Sequence, residues 1–108
     1  MMKVLSFYKR KPGLSFEEYS DYWRNVYGPL IVNTPAIALY MRRYVQHHLR
    51  SRPGLADAGV LEFDGMSENW LDSSEAGLEM RTLPEWRDII LLDEETFSGY
   101  EGAARADA

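Results

Sequence analysis

The spacing of hydrophobic residues changes along the chain, and the two spacings predict different elements. Residues 3–9 are apolar and rich in aromatics and run into a Pro-Gly turn, which predicts a strand. Residues 39–49 alternate bulky and polar side chains, as a long strand does. Residues 60–64 form a short, mostly apolar run bracketed by glycines, which predicts a third strand.

A first helix is predicted to begin after Ser15. Glu18 follows Ser15 at the spacing of a capping box, in which each residue bonds to the backbone of the other. We expect Gly28 and Pro29 to interrupt the regular helix, because proline supplies no backbone donor. The apolar residues recur at three- and four-residue spacing on one face, and they are Phe16, Tyr19, Trp23, Val26 and Leu30.

A second helix is predicted near the C-terminal end. Thr82 and Glu85 repeat the capping-box spacing, and Pro84 suits the first turn of a helix. The helix is expected to end near Gly99, after an apolar stripe made of Trp86, Ile89, Ile90 and Phe97. Residues 67–81 are predicted to be amphipathic and partly helical.

This element order predicts an α+β fold of the ferredoxin-like, split β-α-β type: an antiparallel sheet with two main helices on one face. Residues 1–99 are expected to form a single domain. Residues 100–108 contain no β-branched residue, so the fourth strand should be short or missing, at most a pairing near Tyr100 in a vestigial or disordered tail. The uncovered sheet face needs a partner, and we expect a homodimer built through the sheet faces.

Composition narrows the class of protein. The 108 residues suit one domain, and 45% hydrophobic with 27% charged residues is ordinary globular composition. The net charge of −5 argues against a nucleic-acid partner, and no apolar run is long enough for a membrane span. The lack of cysteine excludes disulfides and thiolate sites and leads us to expect a cytoplasmic protein. Residues 1–54 carry nine Lys/Arg and three Asp/Glu, whereas residues 55–108 carry three Lys/Arg and fourteen Asp/Glu. The two halves therefore have net charges of opposite sign and should attract each other.

Three segments, residues 4–19, 22–30 and 43–48, together resemble the EthD-like family of the dimeric α+β barrel superfamily. The resemblance extends over about residues 2–97 and implies that superfamily's fold and homodimer. Members of the family include degradation accessories and polyketide dehydratases and cyclases. Two departures stand out: the family usually has histidine at the position of Tyr27, and it usually ends in a full fourth strand.

The candidate catalytic residues are His48 and Tyr27. Strand alternation places His48 on one face with Tyr44 and Gln46 and places His47 on the other, without deciding which face the helices cover. The family's tyrosine-valine-glutamine-x-histidine pattern favours His48, whose neutral imidazole could remove a proton; a histidine bonded at a sheet edge or dimer seam is the structural alternative. The Tyr27 phenol is a poor base but can donate to a carbonyl or enolate, unless it merely packs beside the helix.

The candidate substrate-binding residues are Trp23, Tyr44, Gln46 and Arg24. Trp23 is expected to line a cavity that His48 and Tyr27 border together. Arg24 lies off the apolar stripe and should bind either a substrate carboxylate or an acidic residue of the second half of the chain.

Other chemistry is not expected from the sequence. Glu62 and Asp64 should share one face of the third strand, either oriented toward His48 or facing solvent. The adjacent histidines point apart, so no metal site and no cofactor are predicted, and no hydroxyl has a visible base and orienting group.

The sequence and the resemblance together suggest a small cofactor-independent enzyme. Its substrate would be an apolar carbonyl-bearing or aromatic, polyketide-like molecule, and its reaction a proton transfer of dehydratase, cyclase or monooxygenase-like type. The alternative is a non-catalytic accessory or ligand-binding protein of a degradation or biosynthetic pathway.

Overall fold

Four strands form one antiparallel sheet in the order β2-β3-β1-β4. The structure is a computed structural model, and it describes residues 1–50, 63–99 and 104–107. The strands are β1 (Met2–Tyr8), β2 (Arg43–His48), β3 (Gly65–Leu71) and β4 (Ala104–Asp107). Strand β3 lies between β1 and β2, as the split β-α-β arrangement requires.

Two helical stretches connect the strands and cover one face of the sheet. The first comprises α1 (Phe16–Tyr22), a π-helical segment (Trp23–Tyr27), α2 (Gly28–Val32) and the short α3 (Pro35–Ala38). The second comprises α4 (Ser74–Arg81), a π-helical segment (Trp86–Leu91) and α5 (Leu92–Phe97). The predicted α+β, ferredoxin-like fold with a short fourth strand is confirmed.

The start of α1 follows the predicted capping box. The Glu18 backbone N–H donates to Ser15 Oγ, and the Ser15 backbone N–H donates to Glu18 Oε1, each at 3.1 Å. The predicted interruption at Pro29 takes another form, because the backbone stays helical through Gly28. The helix widens before the proline, and the Gly28 N–H donates to the Trp23 carbonyl five residues earlier.

Two predictions about the centre of the chain are wrong. The third strand is β3, which begins at Gly65; of the predicted strand 60–64, residues 63 and 64 precede β3 and residues 60–62 lie outside the described residues. Residues 67–71 accordingly belong to a strand, and only the later part of the predicted helical segment is helical. The second predicted strand is also shorter than residues 39–49.

The C-terminal part of the fold differs from expectation in two details. Thr82 does not form a capping box: it ends α4, and its hydroxyl donates to the Glu79 carbonyl at 2.6 Å. The fourth strand is short, as predicted, and β4 pairs with β1 at residues 104–107, whereas Tyr100, where pairing was expected, lies outside the described residues.

The core lies between the sheet and the helices. Its fully buried aromatic residues are Tyr8, Tyr19, Trp23, Tyr27 and Phe97. The opposite side of the sheet carries no helix among the described residues, and we call it the open face. Its half-buried apolar side chains alternate with the core positions of β1, β2 and β3, and they are Leu5, Phe7, Val45, Met66 and Trp70.

Candidate functional site

Strand β2 places the candidate residues Tyr44, Gln46 and His48 on the helix-covered side of the sheet. Ring contact with buried Trp23 fixes this side for His48, since the two ring centroids are 4.7 Å apart. His47 points to the open face instead, where its Nε2 lies 2.8 Å from Glu68 Oε2. His48 therefore lies on the side of the sheet that the helices cover.

A chain of hydrogen bonds holds the His48 ring, and we call Ser20, His48, Gln46 and Tyr44 the His48 chain. The Ser20 hydroxyl lies 2.6 Å from His48 Nδ1, and Gln46 Oε1 lies 3.0 Å from His48 Nε2. The Gln46 amide nitrogen donates to the Tyr44 hydroxyl at 2.8 Å and to the Trp23 carbonyl at 2.9 Å. The chain thus connects α1, the π-helical segment and β2.

These partners assign the tautomer of His48. A carbonyl only accepts, so the Trp23 carbonyl requires the amide nitrogen of Gln46 and turns Oε1 toward the imidazole. Oε1 also only accepts, so His48 Nε2 carries the proton and Nδ1 keeps its lone pair. The Ser20 O–H then donates to Nδ1.

Glycines make this arrangement sterically possible. A Cβ on Gly28 would lie 3.0 Å from the Gln46 amide nitrogen, so any other residue there would make the Gln46 amide shift by a few tenths of an ångström. A Cβ on Gly65, the β3 partner of His48, would lie 2.7 Å from Trp23 Cζ3 and would fall onto the Tyr19 hydroxyl.

Electrostatics favours the neutral form of His48. Burial lowers the pKa of its imidazole below the ordinary 6.5, and the positive charge of Arg24 lowers it further, whereas Asp21 acts in the opposite direction. The imidazole is therefore a neutral base at pH 7.

Arg24 lies at the exposed rim of the site. It pairs loosely with Asp21, three residues earlier on the same helical stretch, at 3.9 Å, with 57% of the arginine side chain exposed. The expected salt bridge from Arg24 to an acidic residue of the second half is not among those of the described residues.

Tyr27 belongs to a second group of buried polar side chains. Its hydroxyl donates to Glu94 Oε1 at 2.5 Å, and the same oxygen accepts from Arg105 Nη2 at 2.6 Å and from the Tyr8 hydroxyl at 3.3 Å. We call these four residues the Glu94 cluster. Burial and the nearby Tyr8 and Glu94 raise the pKa of Tyr27 well above its ordinary value, so its phenol stays protonated.

The two groups lie on the same side of the sheet but share no described hydrogen bond. Tyr8, a member of the Glu94 cluster, is in ring contact with both Trp23 and Tyr27, with centroids 5.1 and 6.3 Å apart, and so packs the cluster against the aromatic wall beside His48. Trp23 forms that wall, as expected, and is fully buried.

The cavities among the described residues include two of similar volume. One of about 230 Å³ lies between α2, α3 and the start of β2, with Ile31, Met41 and Tyr44 in its wall. The other, of about 220 Å³, lies between Met2 and α4. Neither is lined by His48 or Tyr27, so a cavity shared by those two residues stays a prediction.

Sequence reasoning missed four residues of these groups, and they are Tyr8, Ser20, Glu94 and Arg105. Glu94 had a signal, because it falls in the helical stripe four residues after Ile90 and three before Phe97. Ser20 and Arg105 had none: each acquires its partner only through strand placement and helix packing. Of the acidic pair considered earlier, Asp64 precedes β3 and accepts the Arg10 backbone N–H at 2.8 Å, and Glu62 lies outside the described residues.

The described residues contain no group of three metal-ligating side chains. None of their helices is long and apolar enough to cross a membrane. The cytoplasmic location expected from the composition stays a prediction.

Comparison with known proteins agrees with the fold and the segments described above. The EthD domain matches residues 11–100. The chain belongs to the EthD family. No functionally curated protein matches the sequence.

Three solved structures show the same fold at low sequence identity. An ethyl tert-butyl ether degradation (EthD) family protein from Bacillus halodurans is 19% identical, with a TM-score of 0.71 over 100% of this chain and 97% of that one. An EthD-like protein from Ralstonia eutropha is 16% identical, with a TM-score of 0.70 over 99% of this chain and 88% of that one. A dimeric protein of unknown function and ferredoxin-like fold from Bacteroides fragilis is 16% identical, with a TM-score of 0.63 over 99% of this chain and 91% of that one.

Proposed function

We propose that this EthD-family protein is a small, cofactor-independent enzyme in which His48 moves a proton of an apolar, carbonyl-bearing or aromatic substrate. The observation that carries the proposal is the His48 chain, which supplies a neutral imidazole of fixed tautomer and orientation. The Nδ1 lone pair accepts the Ser20 hydroxyl, so it can take a substrate proton only after that hydroxyl turns away, and the pKa of a general base should lie near the working pH. Dehydration, cyclisation and cofactor-free oxygenation all begin with such a proton transfer.

Tyr44 is the hydroxyl best placed to stabilise the charge that forms. Burial raises its pKa above the ordinary value, so it stays a donor, and its oxygen already accepts from Gln46. Its proton is therefore available to a substrate carbonyl or enolate oxygen. Tyr44 also lines the cavity beside α2 and α3, whose wall is mostly apolar but includes Arg42 and Arg43. Tyr27 could donate to a substrate only after leaving Glu94, so its assigned role is secondary.

Proton abstraction can be measured without knowing the natural substrate. We would incubate the protein with 1-tetralone in D₂O and follow loss of the α-proton signal by NMR. We expect exchange above the buffer rate, and a loss of about a hundredfold in His48→Gln, because general-base catalysis contributes at least that factor. His47→Gln, altered on the opposite face, is the matched control and should exchange as the parent does. Exchange at the buffer rate, or full activity of His48→Gln, would contradict the proposal.

A homodimer through the open face is part of the proposal. The face combines half-buried apolar side chains with charged pairs, among them Lys3–Glu68 at 3.2 Å, a mixture typical of interfaces. A stable contact would bury about 1,500 Å² in total. Sedimentation equilibrium at micromolar concentration should give twice the chain mass, and a monomer there would remove this part of the proposal.

A non-catalytic binding role is the second candidate. Both ring nitrogens of His48 and the Tyr27 hydroxyl already have partners within the protein, which favours a structural use of these groups. Binding of 1-tetralone, seen as shifts of the Tyr44 signals, without accelerated exchange would favour this role over catalysis.

A further inference from the structure

The His48 chain contains a serine that the proposed proton transfer does not use. We propose that Ser20 is a nucleophile activated by His48, and that the protein can transfer the acyl group of small esters or thioesters through it. The inference shares His48 and its assigned tautomer with the proposed function, but it concerns a different reaction and a different reacting atom.

The geometry is that of a nucleophile, a base and an orienting group. Ser20 Oγ is 2.6 Å from His48 Nδ1, within reach for proton removal, and Gln46 fixes the ring from the other nitrogen at 3.0 Å. A neutral amide can take the orienting role, as an asparagine does beside the histidine of cysteine proteases. Gln46 acts here as a positioning residue, and its own amide is held by the Trp23 carbonyl and the Tyr44 hydroxyl.

An exposed positive charge lies one helical turn from Ser20. Arg24 follows Ser20 by one helical turn, and its charge acts on His48, which places it near the Ser20–His48 pair. Its pairing with Asp21, at 3.9 Å and largely exposed, is weak enough to be exchanged for a substrate oxygen. This gives the exposed Arg24 the substrate-binding role that the sequence suggested.

The step balances with water as the second reactant. His48 Nδ1 takes the Ser20 proton as Oγ bonds to the acyl carbon, and the resulting imidazolium gives that proton to the departing alkoxide or thiolate when the ester bond breaks. Water then attacks the acyl-serine, with His48 again taking and returning a proton. The products are a carboxylic acid, an alcohol or thiol, and free Ser20.

The test uses two probes on the intact protein. Diisopropyl fluorophosphate forms an Oγ–P bond and releases fluoride at an activated serine, and p-nitrophenyl acetate leaves an acetyl group there; peptide mass spectrometry locates either adduct. We expect labelling at Ser20, abolished in Ser20→Ala and slowed about a hundredfold in His48→Gln. His47→Gln should label as the parent does. Ser6 and Ser67, which are buried as Ser20 is but have no described histidine contact, should stay unlabelled.

Labelling that spares Ser20, or that proceeds at the parent rate in His48→Gln, would overturn the inference. A circular dichroism spectrum and unfolding midpoint near those of the parent would show that each variant is folded. Ketone exchange measured on the same sample separates the two proposals. Exchange without Ser20 labelling would refute only the acyl transfer, whereas Ser20 labelling without exchange would refute only the proposed function.

Discussion

Replacing Arg105 by methionine tests whether the fourth strand is held by the buried Glu94 cluster. Methionine keeps much of the length of the side chain but removes the cation that lies 2.6 Å from Glu94 Oε1. Glu94 is fully buried and Arg105 is 18% exposed, so the variant would leave a carboxylate without its counter-charge in the core.

Removing one partner of a buried ion pair typically costs about 3 to 5 kcal/mol in free energy of unfolding. The Tyr8 and Tyr27 hydroxyls still donate to Glu94 in the variant, which favours the lower end of that range. Loss of the cation–π contact between Arg105 and Trp86, at 5.4 Å, adds about 0.5 to 1 kcal/mol. We therefore expect Arg105→Met to lower the stability by about 3 to 4 kcal/mol.

Urea unfolding followed by tryptophan fluorescence, at one fixed protein concentration, measures this change. Arg87→Met is the matched control, since Arg87 pairs with Asp88 on the surface at 2.7 Å and should cost less than about 1 kcal/mol. Glu94→Gln combined with Arg105→Met should be more stable than Arg105→Met alone, because no unpaired charge remains buried. A cost for Arg105→Met as small as that of Arg87→Met would refute this account of the cluster.

Three further outcomes follow from the site and the open face. Gly65→Ala should lower the free energy of unfolding by about 1 to 3 kcal/mol, because its Cβ would collide with Tyr19 and Trp23; an unchanged urea midpoint would contradict this. The pKa of His48 is lowered on folding, so the unfolded chain binds more protons and the free energy of unfolding should fall as pH drops below 6.5. His48→Gln should make this dependence on pH less steep, and an unaltered dependence would exclude a contribution from His48. Trp70→Glu on the open face should convert the proposed dimer into a monomer in sedimentation, whereas an intact dimer would place the interface elsewhere.

The first helical stretch could be predicted from the sequence because its signals are local. Ser15 and Glu18 bond to each other's backbone, and the buried Tyr19 and Trp23 follow helical spacing. After Trp23 the prediction is wrong for Val26, which is exposed, because the π-helical segment turns Tyr27 into the core instead. Such signals can be read from the sequence because they involve only residues that are near one another in the chain.

Strand β3 was not predicted because its pattern is the reverse of the usual one, with small or polar residues toward the core and larger apolar residues on the open face. Its core-facing positions include the small or polar Gly65, Ser67 and Asn69, whereas Met66 and Trp70 lie half-buried on the open face. Packing of Tyr19 and Trp23 against Gly65 explains the glycine, but that contact depends on tertiary structure. The more apolar residues 60–64 therefore gave a stronger but misleading signal.

The candidate site was predictable in its residues but not in its connections. Strand alternation grouped His48 with Gln46 and Tyr44 correctly, since it needs only the strand itself. The Ser20 contact joins positions 28 residues apart and depends on how α1 crosses β2. The Arg105 contact depends on β4, whose composition alone gives no reason to form a strand.

The state of the His48 imidazole is the most direct test of the central claim, and ¹⁵N NMR of the histidine-labelled protein measures it. We predict a neutral ring with the proton on Nε2 and the lone pair on Nδ1, titrating with a midpoint below 6.5, and a perturbed Nδ1 signal in Ser20→Ala. His47, on the open face, provides the second histidine signal, assigned through His47→Gln. A His48 ring with the proton on Nδ1, or one that titrates at or above 6.5, would contradict the oriented neutral base on which both proposals depend.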